Sequence, residues 1–383
     1  MSTTLTKLRP VYVVGIGWHP YQSPSDTAFV DLGLVPIRAA LADAGLEWRA
    51  VETTYVANAR LPMAAGRPIL RHLGATGTPL VHIENASASG SAAFRQACIE
   101  VASGMVEIAL AVGLDKVPSQ PASRAEAETG IPSVAEDAIV PFTHFALLAD
   151  QYMHRHNVSA EDIALVAVKN HRNGSKNTNA QRQRERTLSE VLAGKPVSGA
   201  FTPLQCCPVG EGGAAVIVAS EEAIKQFGLD ASRAIRVTAS AARSQRVYRD
   251  DTRYDANLTA ETTQLALKEA GIQPSQLDIV ELHDAFTVEE LEYVEAMGIC
   301  NDGEAMHMLK DGGFDIGGQC AINPSGGLIA MGHPIGPTGI GQIGEVVLQL
   351  RGEAGARQHR DAATGLAHMV GIGAVCYVHV LQR

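Results

Sequence analysis

Asn323-Pro324-Ser325-Gly326-Gly327-Leu328-Ile329-Ala330-Met331-Gly332-His333-Pro334-Ile335-Gly336-Pro337-Thr338-Gly339 sets one imidazole in a frame of glycines and prolines with few bulky side chains. Glycine permits backbone conformations that a Cβ forbids and proline fixes φ, so the frame is stiff yet open. A loop of this kind presents His333 to something that approaches it. A glycine-rich surface loop with an incidental histidine is the reading that one motif alone leaves open.

Three further stretches carry chemistry-bearing residue types. Val81-His82-Ile83-Glu84-Asn85-Ala86-Ser87-Ala88-Ser89-Gly90-Ser91 contains a turn of small residues, and Cys206-Cys207-Pro208-Val209-Gly210-Glu211-Gly212-Gly213-Ala214-Ala215 precedes a strand pattern. In Glu281-Leu282-His283-Asp284-Ala285-Phe286 a second histidine follows the apolar-rich stretch from Leu277 to Leu282. It reads as an active-site imidazole or as a strand-end histidine satisfied by a neighbouring carboxylate.

Composition narrows the class. At 46% apolar and 19% charged residues, the 383-residue chain has the make-up of a globular enzyme and is too long for one small core. A net charge of −10 argues against nucleic acid or an anionic membrane surface as the main partner, and a polyanionic substrate then needs a local basic patch. Cys98, Cys206, Cys207, Cys300, Cys320 and Cys376 lack paired spacing, which fits reduced thiols in a cytoplasmic protein, and no Cys/His array has metal-ligand spacing. The chain reaches its first strand pattern at Val11 without a signal-peptide core, its last residues are no peroxisomal address, and no long apolar run spans a membrane.

Periodicity predicts a strand over Val11–Ile16 and a helix over Leu32–Leu46 closed by Gly45, then a second strand over Ile235–Ala239 and a second helix over Thr259–Ile272 with a similar Ala-Gly ending. A repeated β-α unit is what two related half-domains leave in a sequence. Residues 117 to 203 differ in character: they open with Pro118-Ser119-Gln120-Pro121 and carry the charged run Arg182-Gln183-Arg184-Glu185-Arg186, so they read as an insertion. Within them Phe142, Phe145, Ala146, Ala149, Tyr152 and Met153 recur at helical spacing, as a core face or as a ligand cradle.

In their order along the chain the four motifs resemble the thiolase superfamily, in particular its sterol-carrier-protein-type thiolases and bacterial and archaeal thiolase-like acyltransferases. The resemblance implies an α/β thiolase fold: two similar βαβαβαββ halves in a five-layered α-β-α-β-α arrangement with an inserted loop domain. Residues 1–116 and 204–234 would then form the N-terminal half, 117–203 the inserted loop domain and 235–383 the C-terminal half. It also implies acyl-CoA thioesters as substrates, coenzyme A as a substrate with no permanently bound cofactor and no metal, a homodimer, and a small zinc-ribbon/OB-fold protein as a partner. In the family the loop domain borders the CoA and acyl tunnel. The run Lys169-Asn170-His171-Arg172-Asn173-Gly174 followed by Asn177 is similar to its pattern, so Lys169, Arg172 and Lys176 become candidate phosphate contacts, or else a solvated basic face. Ser325 and Gly326 are further candidate CoA contacts.

By the same resemblance His333 is the base that activates the nucleophile, His283 an oxyanion donor acting directly or through water, and Gly371 the source of a backbone N–H paired with that of Ser87. Three positions depart from the pattern. Ser87 stands where relatives carry the nucleophilic cysteine, Ala285 replaces the cysteine of a His-Asp-Cys-Phe motif, and Met369-Val370-Gly371 replaces a Cys-x-Gly turn. A serine hydroxyl is a weak nucleophile unless a base takes its proton during attack, and an acyl-serine is an oxyester less disposed to hand its acyl group to CoA. Ser87 therefore reads as a natural or engineered replacement of the nucleophile, or as a small residue in a tight turn. Thiolytic cleavage or acyl transfer is the function expected. A retro-aldolase-like lyase, which needs only a base and oxyanion donors, and a non-catalytic CoA-ester-binding scaffold are the alternatives. Cys320 and Cys376 lie near these loops in sequence, as catalytic thiols or as small buried hydrophobes.

Overall fold

The Ala-Gly endings read from the sequence are helix caps: Gly45 and Gly271 take φ of 68° and 72°, the left-handed conformation in which glycine carries no Cβ penalty. The computed structural model describes residues 4–117, 140–248, 253–371 and 375–383. Chain order in the first half is β1 (Val11–Gln22), α1 (Phe29–Ala44), β2 (Thr53–Ala57), α2 (Gly66–Arg71), β3 (Leu80–Ile83), α3 (Ser89–Ala102) and β4 (Ile108–Asp115). Then come α4 (Val140–His156), α5 (Ala160–Gly174) and α6 (Leu188–Leu192), followed by β5 (Glu211–Ser220) and α7 (Glu221–Phe227). The second half runs β6 (Ile235–Ser244), α8 (Tyr254–Ala270), β7 (Ile279–Glu281), α9 (Thr287–Ala296), α10 (Ala305–Lys310), β8 (Ala321–Ile322), α11 (Gly327–Ala330), α12 (Thr338–Arg351), β9 (Thr364–Gly371) and β10 (Val375–Gln382).

All these strands join in the order β3-β2-β4-β5-β1-β6-β10-β9-β7-β8. Read from each outer edge inward, the halves repeat one pattern: β3-β2-β4-β5-β1 matches β8-β7-β9-β10-β6. The directions match too, with the outer pairs parallel and the inner pairs antiparallel in both. The halves meet at the short antiparallel pairing Tyr12↔Arg236 and Val13↔Ile235.

Strand periodicity explains the layers. Along β4, Ile108, Leu110, Val112 and Leu114 face a core shared with Leu32, Ile37 and Leu41 of α1, while Ala109 and Ala111 face the opposite core with Phe94 and Val101 of α3. That second core also holds Ile340, Ile343 and Val347 of α12, so α3 and α12 lie between the sheets of the two halves. Helix α8 covers the far face of β6 and β10. The result is the five-layered α-β-α-β-α arrangement. Between α12 and β1 the fit depends on Gly344, where a Cβ would lie 2.3 Å from the Trp18 ring.

The stretch between β4 and β5 leaves the first half and packs on the second. Helices α4 and α5 lie on α9, and Phe145, Tyr152, Ile163 and Val166 share one core with Leu258, Val288 and Leu291. The helical stripe from Phe142 to Met153 is thus a core face: Phe142 and Phe145 meet Phe286 at ring distances of 5.3 and 4.6 Å. Arg182, from the charged run, donates to the carbonyls of Cys206 and Ile329, both at 2.9 Å, instead of facing solvent. The expected opening Pro118-Ser119-Gln120-Pro121 lies outside the described residues. The first strand and its counterpart run past the sequence expectation, to Gln22 and Ser244, because antiparallel partners β5 and β10 continue the ladder over residues with no apolar period. Among the described residues no helix is long and apolar enough to cross a membrane.

Candidate active site

The turn from β3 into α3 carries Ser87. Ala86 adopts φ 49°, a left-handed conformation that a single methyl tolerates better than a branched side chain. Ser89 Oγ locks the turn by accepting from the Asn85 N–H (2.8 Å) and donating to the Ala86 carbonyl (2.6 Å). Ser87 is thereby held just before the first turn of a 14-residue helix, whose unpaired N–H groups favour negative charge. Gly371 closes against the same turn: a Cβ there would lie 2.6 Å from the Asn85 carbonyl oxygen, so only glycine fits.

His333 reaches this turn from the other half. Its loop holds Ile335 at φ 67°, a strained value for a β-branched residue, and the nearby Asn323 at φ 52°. Such backbone costs about 1–3 kcal/mol per residue and persists where the surroundings over-determine it. Asp115, the last residue of β4, supplies part of that restraint by accepting from the N–H groups of Gly336 (2.8 Å), Arg60 (2.7 Å) and Ala59 (3.0 Å). The Ser87 hydroxyl then lies 2.9 Å from His333 Nε2, and His333 Nδ1 lies 2.9 Å from Thr338 Oγ1. Burial, reinforced by the nearby charges of His283 and Arg60, holds His333 well below the ordinary histidine pKa. The imidazole is a neutral acceptor for the serine proton at pH 7.

His283 stands edge-on to His333, with ring centroids 5.5 Å apart at 89°. Its Nδ1 meets Glu289 Oε1 at 2.7 Å, and the same carboxylate accepts from the Phe286 N–H (2.9 Å) and the Tyr293 hydroxyl (3.1 Å). His283 Nε2 is buried without a protein partner among the described residues. The neighbouring carboxylate of the second sequence reading is present at one ring nitrogen, and the other nitrogen leaves room for the active-site reading.

The structure brings Ser87, His283, His333 and Gly371 to one place, whereas most of the expected CoA contacts are engaged by partners of their own. Lys169 is 3% exposed, and its ammonium is engaged by Glu290 (3.1 Å), the Ile322 carbonyl (2.7 Å) and Asn170 Oδ1 (2.7 Å). The expected phosphate role gives way to a structural one, because no face of that ammonium is open. Asn170 extends the network to Asp284 (2.7 Å), which also accepts from the Leu328 N–H (2.6 Å), so the insertion is tied to both histidine loops. Arg172 is half-exposed and paired with Asp315, while Lys176 is exposed. Ser325 is buried against Glu281, donating through its N–H (2.8 Å), with its hydroxyl 2.7 Å from the other carboxyl oxygen. Gly326, at φ 109°, packs on Gly174. Neither has the exposure a phosphate contact needs.

Cys320 and Cys376 are buried, and burial raises both thiols, Cys376 to about 12, so neither offers a thiolate. The sequence reading missed Glu289, Thr338 and Asp115. Glu289 had a signal, an acidic residue three positions after Phe286 at a helix start. His156, Glu295 and Asp302 come within metal-sharing reach of one another, yet Arg155 and Arg253 already crowd that cluster.

Comparison with known proteins bears on the chain as a whole. A family model for the thiolase N-terminal domain matches residues 11–188, and one described as thiolase C-terminal domain-like matches residues 239–383. Benzoylsuccinyl-CoA thiolase subunit BbsB of Thauera aromatica is 34% identical over 374 residues, 95% of each chain. Acetyl-CoA acetyltransferase of Methanothermobacter thermautotrophicus is 33% identical over 390 residues, 98% of this chain and 100% of that one. Human sterol carrier protein 2 is 32% identical over 392 residues, 97% of this chain and 71% of its own length. Among solved structures, an Ltp2-ChsH2(DUF35) aldolase matches with TM-score 0.80 at 23% identity over 98% of both chains. Human mitochondrial 3-ketoacyl-CoA thiolase in complex with CoA matches with 0.76 at 20% identity over 100% of both, and these two likenesses speak to the fold. Matched in both halves, and in sequence over nearly its whole length, the chain belongs to the thiolase family of acyl-CoA acyltransferases.

Proposed function

We propose that the protein transfers acyl groups between 3-oxoacyl-CoA thioesters and coenzyme A, with Ser87 in the place of the acyl-carrying nucleophile. The observation that carries this reading is the 2.9 Å contact between Ser87 Oγ and a neutral, buried His333 Nε2. Ser87 Oγ attacks the 3-oxo carbonyl as its proton passes to His333 Nε2. The carbonyl oxygen takes the negative charge, and the backbone N–H groups of Ser87 and Gly371 are the donors we assign to it. When the C2–C3 bond breaks, the acyl group stays on Oγ, and the departing thioester enolate takes a proton at C2 from the imidazolium. His283 Nε2, without a protein partner among the described residues, is the donor we assign to the enolate oxygen, a role that requires the imidazolium because the Nδ1 hydrogen is already given to Glu289. CoA thiol then releases the acyl group, the slow step for an oxyester.

A retro-aldolase-like cleavage of a CoA thioester is the second reading, and the absence of a thiol at positions 87, 285 and 369 is the observation that favours it. Two imidazoles suffice there as base and donor, and the fold shared with a structure described as an aldolase supports this reading. A substrate-binding scaffold is the remaining outcome. Incubation with a labelled 3-oxoacyl-CoA separates them: covalent label on the chain supports acyl transfer, aldehyde or ketone release supports the lyase, and binding without turnover supports the scaffold. We also assign the protein to a homodimer working with a small zinc-ribbon/OB-fold partner in the cytoplasm. The DUF35 component named in that relative motivates the partner, and the open edge of β3, with Val81 45% exposed, offers a surface for assembly.

A further inference from the structure

His333 can take the Ser87 proton only if Nε2 carries a lone pair, which places the ring hydrogen on Nδ1. That nitrogen faces Thr338 Oγ1 at 2.9 Å, so the threonine oxygen accepts and its own O–H must go elsewhere. Thr338 is 3% exposed, and no second protein partner meets its hydroxyl among the described residues. Behind it lies a cavity of about 10 Å³, room for one water, lined by Thr338, Trp18, Gln342, Ser325, Glu281 and Glu345. Trp18 Nε1 and both amide atoms of Gln342 are buried without a protein partner among the described residues. Buried polar atoms are seldom left unpaired, and three around one water-sized space mark it as hydrated.

We propose that Thr338 is a positioning residue for His333: its oxygen fixes the Nδ1–H tautomer, and its hydroxyl proton turns to a water held in the cavity by Gln342, Trp18 and Glu281. This inference rests on Ser87 and His333 being the reacting pair. No proton leaves through the relay. When His333 becomes an imidazolium, Nδ1–H keeps the same neutral acceptor, which stabilises the cation less than a carboxylate would. Glu281, at the far end, stays an acid because burial and the neighbouring Glu345 push its pKa up to about 8, while Arg357 pairs with Glu345 at 2.7 Å. The charged groups around His333 are Arg60 and the His283–Glu289 pair, and neither touches Nδ1.

Two readouts test this. In 15N spectra of the wild-type chain, His333 should show a protonated Nδ1 and an unprotonated Nε2, and the opposite tautomer overturns the inference whatever the activity. In the Ser87→Cys chain, the pH dependence of iodoacetamide alkylation reports how well the imidazolium forms. Thr338→Val should slow alkylation at pH 7 by about fivefold to tenfold, the worth of one hydrogen bond, and move the profile to higher pH, while Thr338→Ser restores both. Gln342→Leu, which takes away the polar wall, should move the profile the same way by less. An unchanged Thr338→Val profile, or a Thr338→Ser chain as impaired as the valine one, overturns the positioning role. An unchanged Gln342→Leu profile removes the water from it. Correct spectra together with no acyl label on wild-type protein would instead count against the proposed function.

Discussion

On the proposed mechanism Ser87 already meets its base at 2.9 Å, and what it lacks is the acidity of a thiol. A thiol ionises beside a neutral imidazole, whereas a hydroxyl keeps its proton until the bond forms. The base itself is undiminished. His333 works in its neutral form, and a pKa held below the ordinary 6.5 means that the acid limb of kcat/KM should fall only below that pH, with a plateau above it. His333→Asn should lower kcat/KM by about 10²–10⁴-fold, the usual worth of a positioned general base. Glu289→Gln removes the charge that orients His283 and should cost about 10- to 100-fold in turnover with folding retained, checked by melting. Ser87 and His333 stood out in the sequence because each sits in a frame of small residues, whereas His283 and Gly371 entered through the family resemblance. Thr338 and Glu289 were not legible, since an orienting residue is defined by the atom it touches. Lys169 misled for the complementary reason: its charge was visible, but Glu290, 121 positions away, was not recognisable as its partner.

Helices and strands were readable where local chemistry set them and unreadable where partners did. The Ala-Gly caps of α1 and α8 followed from the residues alone, whereas the far ends of β1 and β6 followed from ladders that β5 and β10 supply. The aromatic stripe on α4 fitted core or ligand cradle until Phe286 appeared against it. That contact joins the insertion to the turn that carries His283, so Phe286→Ala should destabilise the protein by about 3–5 kcal/mol, read in denaturant titrations. On α12, Gly344→Val would push two methyls into the Trp18 ring, and overpacking of this kind costs about 1–3 kcal/mol. Trp18 also walls the cavity behind Thr338, so its displacement should appear as a change in tryptophan fluorescence as well as in melting temperature.

Across the whole molecule, the pseudo-symmetric halves bring one residue of the proposed nucleophile–base pair from each to the shared middle layer. Ser87 comes with α3 of the first half, and His333 with the loop before α12 of the second. The same interior buries a carboxylic acid. Glu281 is raised from 4.5 to about 8 by burial and by Glu345, so the stability it contributes is complete below pH 4.5 and is lost as pH rises through about 8. Glu281→Gln, which stays neutral, should therefore gain melting temperature relative to wild type over that window and hold a constant lead above it. All of this rests on the interior being an acyl-transfer site whose turnover is limited by the serine at position 87. Ser87→Cys tests it most directly, by thioester release from 3-oxoacyl-CoA with free CoA, alongside alkylation of position 87. The account predicts a cysteine alkylated by iodoacetamide and turnover orders of magnitude above the serine form. A cysteine that alkylates readily, with turnover no higher than that of serine on any 3-oxoacyl-CoA tried, would contradict it.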